Sequence, residues 1–176
     1  MNIDKPNNTK VICLTPVVNE AFELDRFLQA ASIWADHIIA GYQVSTDETL
    51  EILERYPKVS IVHSPNTDWN ELVMRSLLYE EARKIDADNR VIMNLDADEL
   101  ISSNLMTSPE WKSILELPAG SVVRIPWVNL QPDMQEYTPS NMIEVGFIDD
   151  GTSMLSGSVM HMGRVPWPNY DIKILR

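Results

Sequence analysis

Residues 90–99 read Arg-Val-Ile-Met-Asn-Leu-Asp-Ala-Asp-Glu. The first six, Arg90–Leu95, are a short apolar run of the kind that forms a buried strand, and three carboxylates follow directly at its C-terminal end. Upstream, the same alternation repeats. Lys10–Thr15 reads as a first strand, ended by Pro16. Asn19–Glu20 then open a helix in which Leu24, Phe27, Leu28, Ala31 and Trp34 recur at helical spacing. His37–Tyr42 is a second strand, and Ser45-Thr46-Asp47-Glu48 is a turn and cap signal for a helix over Glu48–Tyr56. Lys58–His63 is a third strand. A helix follows over about Asn70–Ile85, with Leu72, Leu77, Leu78 and Ala82 on one face. Strands alternating with helices predict an α/β fold, a doubly wound and mainly parallel sheet with helices on both faces. In such sheets ligands bind beyond the carboxyl ends of the strands, so the loops at 15–20, 42–47 and 95–99 are expected to meet there.

Downstream the pattern changes. Ser121–Leu130 and Asn141–Ile148 read as strands separated by the Pro-containing polar segment Gln131–Ser140. No strong helix is expected beyond residue 110, so the C-terminal part is read as irregular or antiparallel. The closing Asp171–Arg176 reads as the start of an element, and the chain is expected to be cut short there.

Charge and composition narrow the function. The chain has 176 residues, 14 Lys+Arg against 26 Asp+Glu, and a formal net charge of −12. Without a cationic run it lacks what a nucleic-acid or anionic-membrane binder needs to replace counterions. The 44% hydrophobic content suits one soluble globular domain. No apolar run reaches the roughly 18 to 20 residues of a membrane span, and residues 1–10 resemble no secretory leader. Cytoplasmic placement is expected, with peripheral attachment at the inner membrane face left open. The single cysteine, Cys13, reads as a small buried hydrophobe.

Asp96 and Asp98 are separated by one residue and can project to the same side to share a cation. Hard ions such as Mg²⁺ or Mn²⁺ take oxygen ligands, commonly one or two carboxylates plus substrate phosphates. An acidic protein can hold an acidic nucleotide in this way. The plainer alternative is that Asp98 and Glu99 cap a following helix.

Together with Thr15-Pro16-Val17-Val18-Asn19-Glu20, Ser45-Thr46-Asp47 and Arg75, the Asp96-Ala97-Asp98 triplet resembles the landmarks of family 2 glycosyltransferases, in their order. The resemblance covers roughly residues 10–105 and implies a GT-A fold. It divides the chain into a nucleotide-sugar-binding half, 10–105, and an acceptor-side half, 106–176. The activity it implies is transfer of a sugar from a UDP- or GDP-type donor to a hydroxyl of a glycan or lipid acceptor, with inversion. On this resemblance Pro16, Val17, Val18, Asn19 and Glu20 line the base and ribose, Arg75 approaches the nucleotide, and Asp96 contacts ribose. Asp96 and Asp98 hold Mn²⁺ or Mg²⁺, and His161 is a further candidate ligand. Plain structural roles stay open for Glu20 in a first helical turn, Arg75 on a helix surface, Asp47 as a cap and His161 in the interior.

The resemblance is incomplete. Where many members carry an acidic run before Ser-Thr-Asp, this chain has Tyr42-Gln43-Val44. Tyr42 can stack on a base but supplies no carboxylate. For the general base that inversion requires, Asp149 and Asp150 are candidates by residue type, although Asp-Asp-Gly is also a turn signal. Trp127, Trp167 and Tyr170 are candidates for a sugar-stacking wall. Two other readings remain: a degenerate or truncated GT-A-like binding module, and a phosphatase with Asp96 as nucleophile and Asp98 as acid.

Overall fold

The computed structural model describes residues 8–65, 68, 70–102, 104–130 and 137–151; for residues 130 and 137–141 the backbone alone is described. His161, Trp167 and Tyr170 lie outside these residues. The elements run β1 (Thr9–Val17), α1 (Ala21–Trp34), β2 (His37–Tyr42), α2 (Thr49–Glu54), β3 (Val59–His63), α3 (Glu71–Arg83), β4 (Asn89–Asn94), a 3₁₀ turn (Leu105–Thr107), α4 (Pro109–Leu115), β5 (Val122–Leu130) and β6 (Tyr137–Ile148).

They build one six-stranded sheet in the order β3-β2-β1-β4-β6-β5. The first four strands are parallel, while β6 runs antiparallel to both β4 and β5. This is the α/β class expected from the sequence, a mainly parallel sheet with an antiparallel C-terminal part. Strand alternation divides the core between two faces. Val11, Cys13, Val17, Ile38, Ala40, Val91 and Met93 pack against α1, α2 and α4. Ile12, Leu14, Ile39, Ile92 and Phe147 pack against α3 through Met74, Leu78, Tyr79 and Ala82.

Three local expectations need correction. Pro16 does not end β1, which continues to Val17. Its missing N–H does no harm there, because pairing with β4 stops at Leu14 and Asn94 while pairing with β2 continues. On α3 the buried face is Met74, Arg75, Leu78, Tyr79 and Ala82, while Leu72 is exposed. β6 begins at Tyr137 rather than Asn141, because residues 137–139 already pair with 128–130. A short helix, α4, also occurs where none was expected. Ser108 caps it by accepting the Trp111 N–H at 3.2 Å, and Pro109 occupies its first turn, where a missing N–H costs nothing.

β6 explains where its end leads. Ile148 pairs with Val91 near the start of β4, and the Asp149 N–H donates to the Arg90 carbonyl at 2.9 Å. The buried Asp149 carboxylate then takes both Arg83 Nη2, at 2.8 Å, and Arg83 Nε, at 3.2 Å. Asp149 therefore ties the sheet to the C-terminal end of α3, at the amino edge of the parallel strands.

Candidate donor-binding edge

Three loops meet at the carboxyl edge of β1, β2 and β4. Asn19, after β1, adopts a left-handed backbone with φ of 54°, a conformation asparagine tolerates better than most residues. Its N–H donates to Ser45 Oγ at 3.0 Å, and its Oδ1 accepts the Thr46 N–H at 2.8 Å. The Glu20 N–H donates to Thr49 Oγ1 at 2.9 Å, and the Ala21 N–H to Asp47 Oδ2 at 3.0 Å. The other Asp47 oxygen accepts the Thr49 N–H and hydroxyl, at 3.1 and 2.6 Å. Asp47 thus caps α2, as its sequence suggests, and also the start of α1. These bonds hold its pKa below the ordinary carboxylate value, the Thr49 hydroxyl contributing most.

Of the residues singled out in the first loop, Val17 is buried in the core and can offer a ligand only its backbone. Pro16, Val18 and Glu20 are half-buried and Asn19 is exposed. Tyr42 is 8% exposed, packs edge-on against His63, and accepts the Ser45 N–H through its hydroxyl at 3.1 Å. Its ring and hydroxyl are therefore engaged in holding the second loop.

The carboxylates follow β4. Asp96 and Glu99 close a reciprocal turn: the Glu99 N–H donates to the Asp96 carbonyl, and Glu99 Oε2 accepts the Asp96 N–H, both at 3.0 Å. This leaves the Asp96 side chain half-exposed and Asp98 exposed. Arg75 comes from α3, only 5% exposed, with Nε donating to Glu71 at 3.0 Å and Nη2 to Asp96 at 3.3 Å. Its Nη1 is buried with no hydrogen-bond partner among the described residues. Arg75 is thus an interior cation held against Asp96, not a surface helix charge.

The negative charge accumulates. Burial, then the charges of Asp98, Asp96, Asp47 and Glu23, raise the Glu20 pKa above its ordinary value. Burial chiefly, with Asp96 and Asp98 adding repulsion, pushes Glu99 up to about 7. The unfolded glutamate titrates near 4.5, so across the intervening range the folded chain holds a proton the unfolded chain releases. Stability is therefore expected to fall as pH rises from about 5.5 to 8 in EDTA, the reverse of the usual carboxylate trend. Thermal melts at both pH values check this; a higher melting temperature at pH 8 would contradict it.

Among the described residues, no group of three or more His, Cys, Asp or Glu side chains is arranged to hold a metal ion unaided. The donor set at Asp96 and Asp98 nevertheless suits a hard cation. It is all oxygen, solvent-accessible and short of counter-charge, the set that Mg²⁺ or Mn²⁺ completes with substrate phosphates.

Asp149 and Asp150, the candidates for a general base, do not join this cluster. They follow Ile148 beside Arg90, roughly 20 Å along the strand from Asp96 at about 3.3 Å per residue. Asp149 is committed to Arg83, and the charge of Asp150 also acts on Arg83. Trp127, on β5, is half-buried, and its indole N–H donates to Asn129 Oδ1 at 2.9 Å. Sequence reading missed Asn94 and Tyr79. The Tyr79 hydroxyl donates to Asn94 Oδ1 at 3.0 Å, in the layer directly beneath Asp96. The available signal was a polar residue in phase with the buried Ile92, and a tyrosine one helical turn after Arg75.

No helix among the described residues is long and apolar enough to cross a membrane. No protein-family model and no curated protein matches the chain. Solved structures do. TarS residues 1–349 from S. aureus align at 15% identity over 56% of this chain and 30% of that one, with a TM-score of 0.46. Glucosyl-3-phosphoglycerate synthase from Mycobacterium tuberculosis, solved with UDP, aligns at 15% identity over 66% and 43%, with a TM-score of 0.47. This chain therefore spans less than half the length of either. A 4-diphosphocytidyl-2C-methyl-D-erythritol synthase aligns at 10% identity over 84% of this chain and 76% of that one, with a TM-score of 0.51. At that identity the likeness is one of fold: a mixed α/β sheet, flanked by helices, of the GT-A-like nucleotidyltransferase type.

Proposed function

We propose that this chain is the donor-binding part of a metal-dependent glycosyltransferase, which moves a sugar from a nucleotide-diphosphate sugar to an acceptor hydroxyl. The observation that carries this reading is the convergence of Glu20, Asp96 and Asp98 with the buried Arg75 guanidinium at the carboxyl edge of the sheet. The backbone of Pro16–Glu20 lines the nucleoside side, and Glu20 offers a carboxylate to ribose hydroxyls. Arg75 fixes the orientation of Asp96 from the interior, through the Nη2 bond at 3.3 Å.

Asp96 and Asp98 would hold Mn²⁺ or Mg²⁺, which when bound supplies counter-charge for the departing nucleoside diphosphate. Inversion at the anomeric carbon belongs to this proposal by resemblance, and its general base is assigned to no described residue. A UDP- or GDP-type donor and a glycan or lipid acceptor complete it.

Incubation with a panel of UDP- and GDP-sugars in Mn²⁺ is expected to release nucleoside diphosphate, with water as a slow acceptor, and EDTA is expected to stop the release. Aryl phosphates should remain intact, since Asp96 serves here as a ligand and not as a nucleophile. Turnover of aryl phosphate with none of nucleotide sugar would replace this reading with a phosphatase. No turnover together with no nucleotide binding would leave a degenerate module.

A further inference from the structure

Three consecutive backbone N–H groups, those of Asn19, Glu20 and Ala21, all donate to side chains that follow β2. Their acceptors are Ser45 Oγ at 3.0 Å, Thr49 Oγ1 at 2.9 Å and Asp47 Oδ2 at 3.0 Å. Thr49 is fully buried, and its hydroxyl donates to Asp47 Oδ1 at 2.6 Å. A hydroxyl has one hydrogen and two lone pairs, so that bond turns a lone pair of Thr49 toward the Glu20 N–H. The Glu20 carbonyl is held as well, accepting the Leu24 N–H at 2.9 Å. The peptide groups on both sides of Glu20 are thereby fixed.

Glu20 occupies the N-cap position of α1, yet its side chain makes no capping bond. Glutamate is not among the residues favoured there; Asp, Asn, Ser and Thr are, because their shorter side chains reach the first N–H groups of the helix. Asp47 caps α1 from the neighbouring loop instead, through its bond to Ala21, the first residue of the helix. The Glu20 carboxylate is left half-buried, in a place where the charges of Asp98 and Asp96 act on it. Like charges gathered in this way repel, so a tether is needed to keep Glu20 among them.

Resting on the nucleotide-sugar reading above, we propose that Asp47 and Thr49 are positioning residues of this site. Asp47 caps α1 in place of Glu20 and, through the Thr49 hydroxyl, fixes the peptide that carries it. The Glu20 carboxylate is thereby held out to the ribose hydroxyls of the donor. Asp47 touches no ligand itself and acts on affinity only through Glu20.

Calorimetric titration of the whole chain in Mn²⁺ with UDP, GDP and their 2′,3′-dideoxy analogues, which lack both ribose hydroxyls, tests this. Wild type is expected to bind the preferred nucleotide at least about tenfold more tightly than its dideoxy analogue. Glu20→Ala and Asp47→Ala are each expected to narrow that preference to about threefold or less. In the Glu20→Ala background, Asp47→Ala is expected to narrow it no further, the mark of two residues acting as one. Thr49→Val keeps the shape and removes the hydroxyl; it is expected to act in the same direction, and decides should Asp47→Ala fail to fold. Equal binding of a nucleotide and its dideoxy analogue by wild type overturns the proposal but leaves the donor-site reading intact. An unchanged preference in Asp47→Ala, whatever the loss of affinity, or additive effects in the double variant, also overturns it and makes Asp47 a scaffold residue alone. Binding of no nucleotide overturns both.

Discussion

Gly146→Ala is expected to destabilise the fold by about 3 kcal/mol, a loss large for a single methyl group. A Cβ at Gly146 would stand 2.2 Å from the Ile92 carbonyl oxygen and 2.9 Å from Met93 Sδ. The carbonyl belongs to the centre of the sheet, where β6 crosses from the antiparallel hairpin onto β4, and it cannot retreat without breaking the ladder at Met93 and Gly146. Gly41→Ala is the control. There the contacts at 2.4 and 2.8 Å are with Met74 Sδ and Cγ, a flexible side chain that can turn aside. Denaturant unfolding of both variants should therefore show a clearly larger loss for Gly146→Ala. Equal losses would mean that β6 does not lie against β4 as described.

Asp96→Asn is expected to lower nucleotide affinity in Mn²⁺ roughly a hundredfold or more, with the fold intact. Asparagine keeps an oxygen for Arg75 Nη2, so the interior guanidinium is not stranded. It also removes one of the charges that repel Glu20 and Glu99, so the melting temperature should hold or rise. Loss of ligand affinity without loss of stability separates a ligand-binding carboxylate from a structural one. A matching fall in both would instead make Asp96 a scaffold residue. Nucleotide titration beside a thermal melt supplies both readings.

Much of the parallel half is legible in the sequence because each element carries a single dominant signal. His37–Tyr42 is strand with the expected ends, and Leu24, Phe27, Leu28, Ala31 and Trp34 are the buried face of α1. α3 was harder to read because it buries polar groups. Hydrophobic periodicity favours Leu72, but the helix turns inward a charged Arg75 and a hydroxyl-bearing Tyr79, which find partners in the turn after β4 and at its last residue. Partners of that kind depend on the sheet order and cannot be seen along one chain segment. The same holds for Asp149. Its sequence context suggests a turn or a catalytic carboxylate, and only the antiparallel return of β6 beside β4 brings it to Arg83 at the opposite edge. Ser45-Thr46-Asp47 shows the intermediate case. Its capping role is legible locally, while its clamp on Asn19 and Ala21 depends on two strands ending side by side.

We propose that the carboxyl edge around Asp96 and Asp98 is a metal-dependent nucleotide-diphosphate site. Calorimetry with UDP and GDP in Mn²⁺, in Mg²⁺ and in EDTA, on wild type and on Asp96→Ala/Asp98→Ala, tests it most directly. Binding of at least one nucleotide is expected in the presence of metal, lost in EDTA and lost in the double variant. Binding of neither nucleotide with either metal, or binding that survives both EDTA and the double substitution, would contradict it.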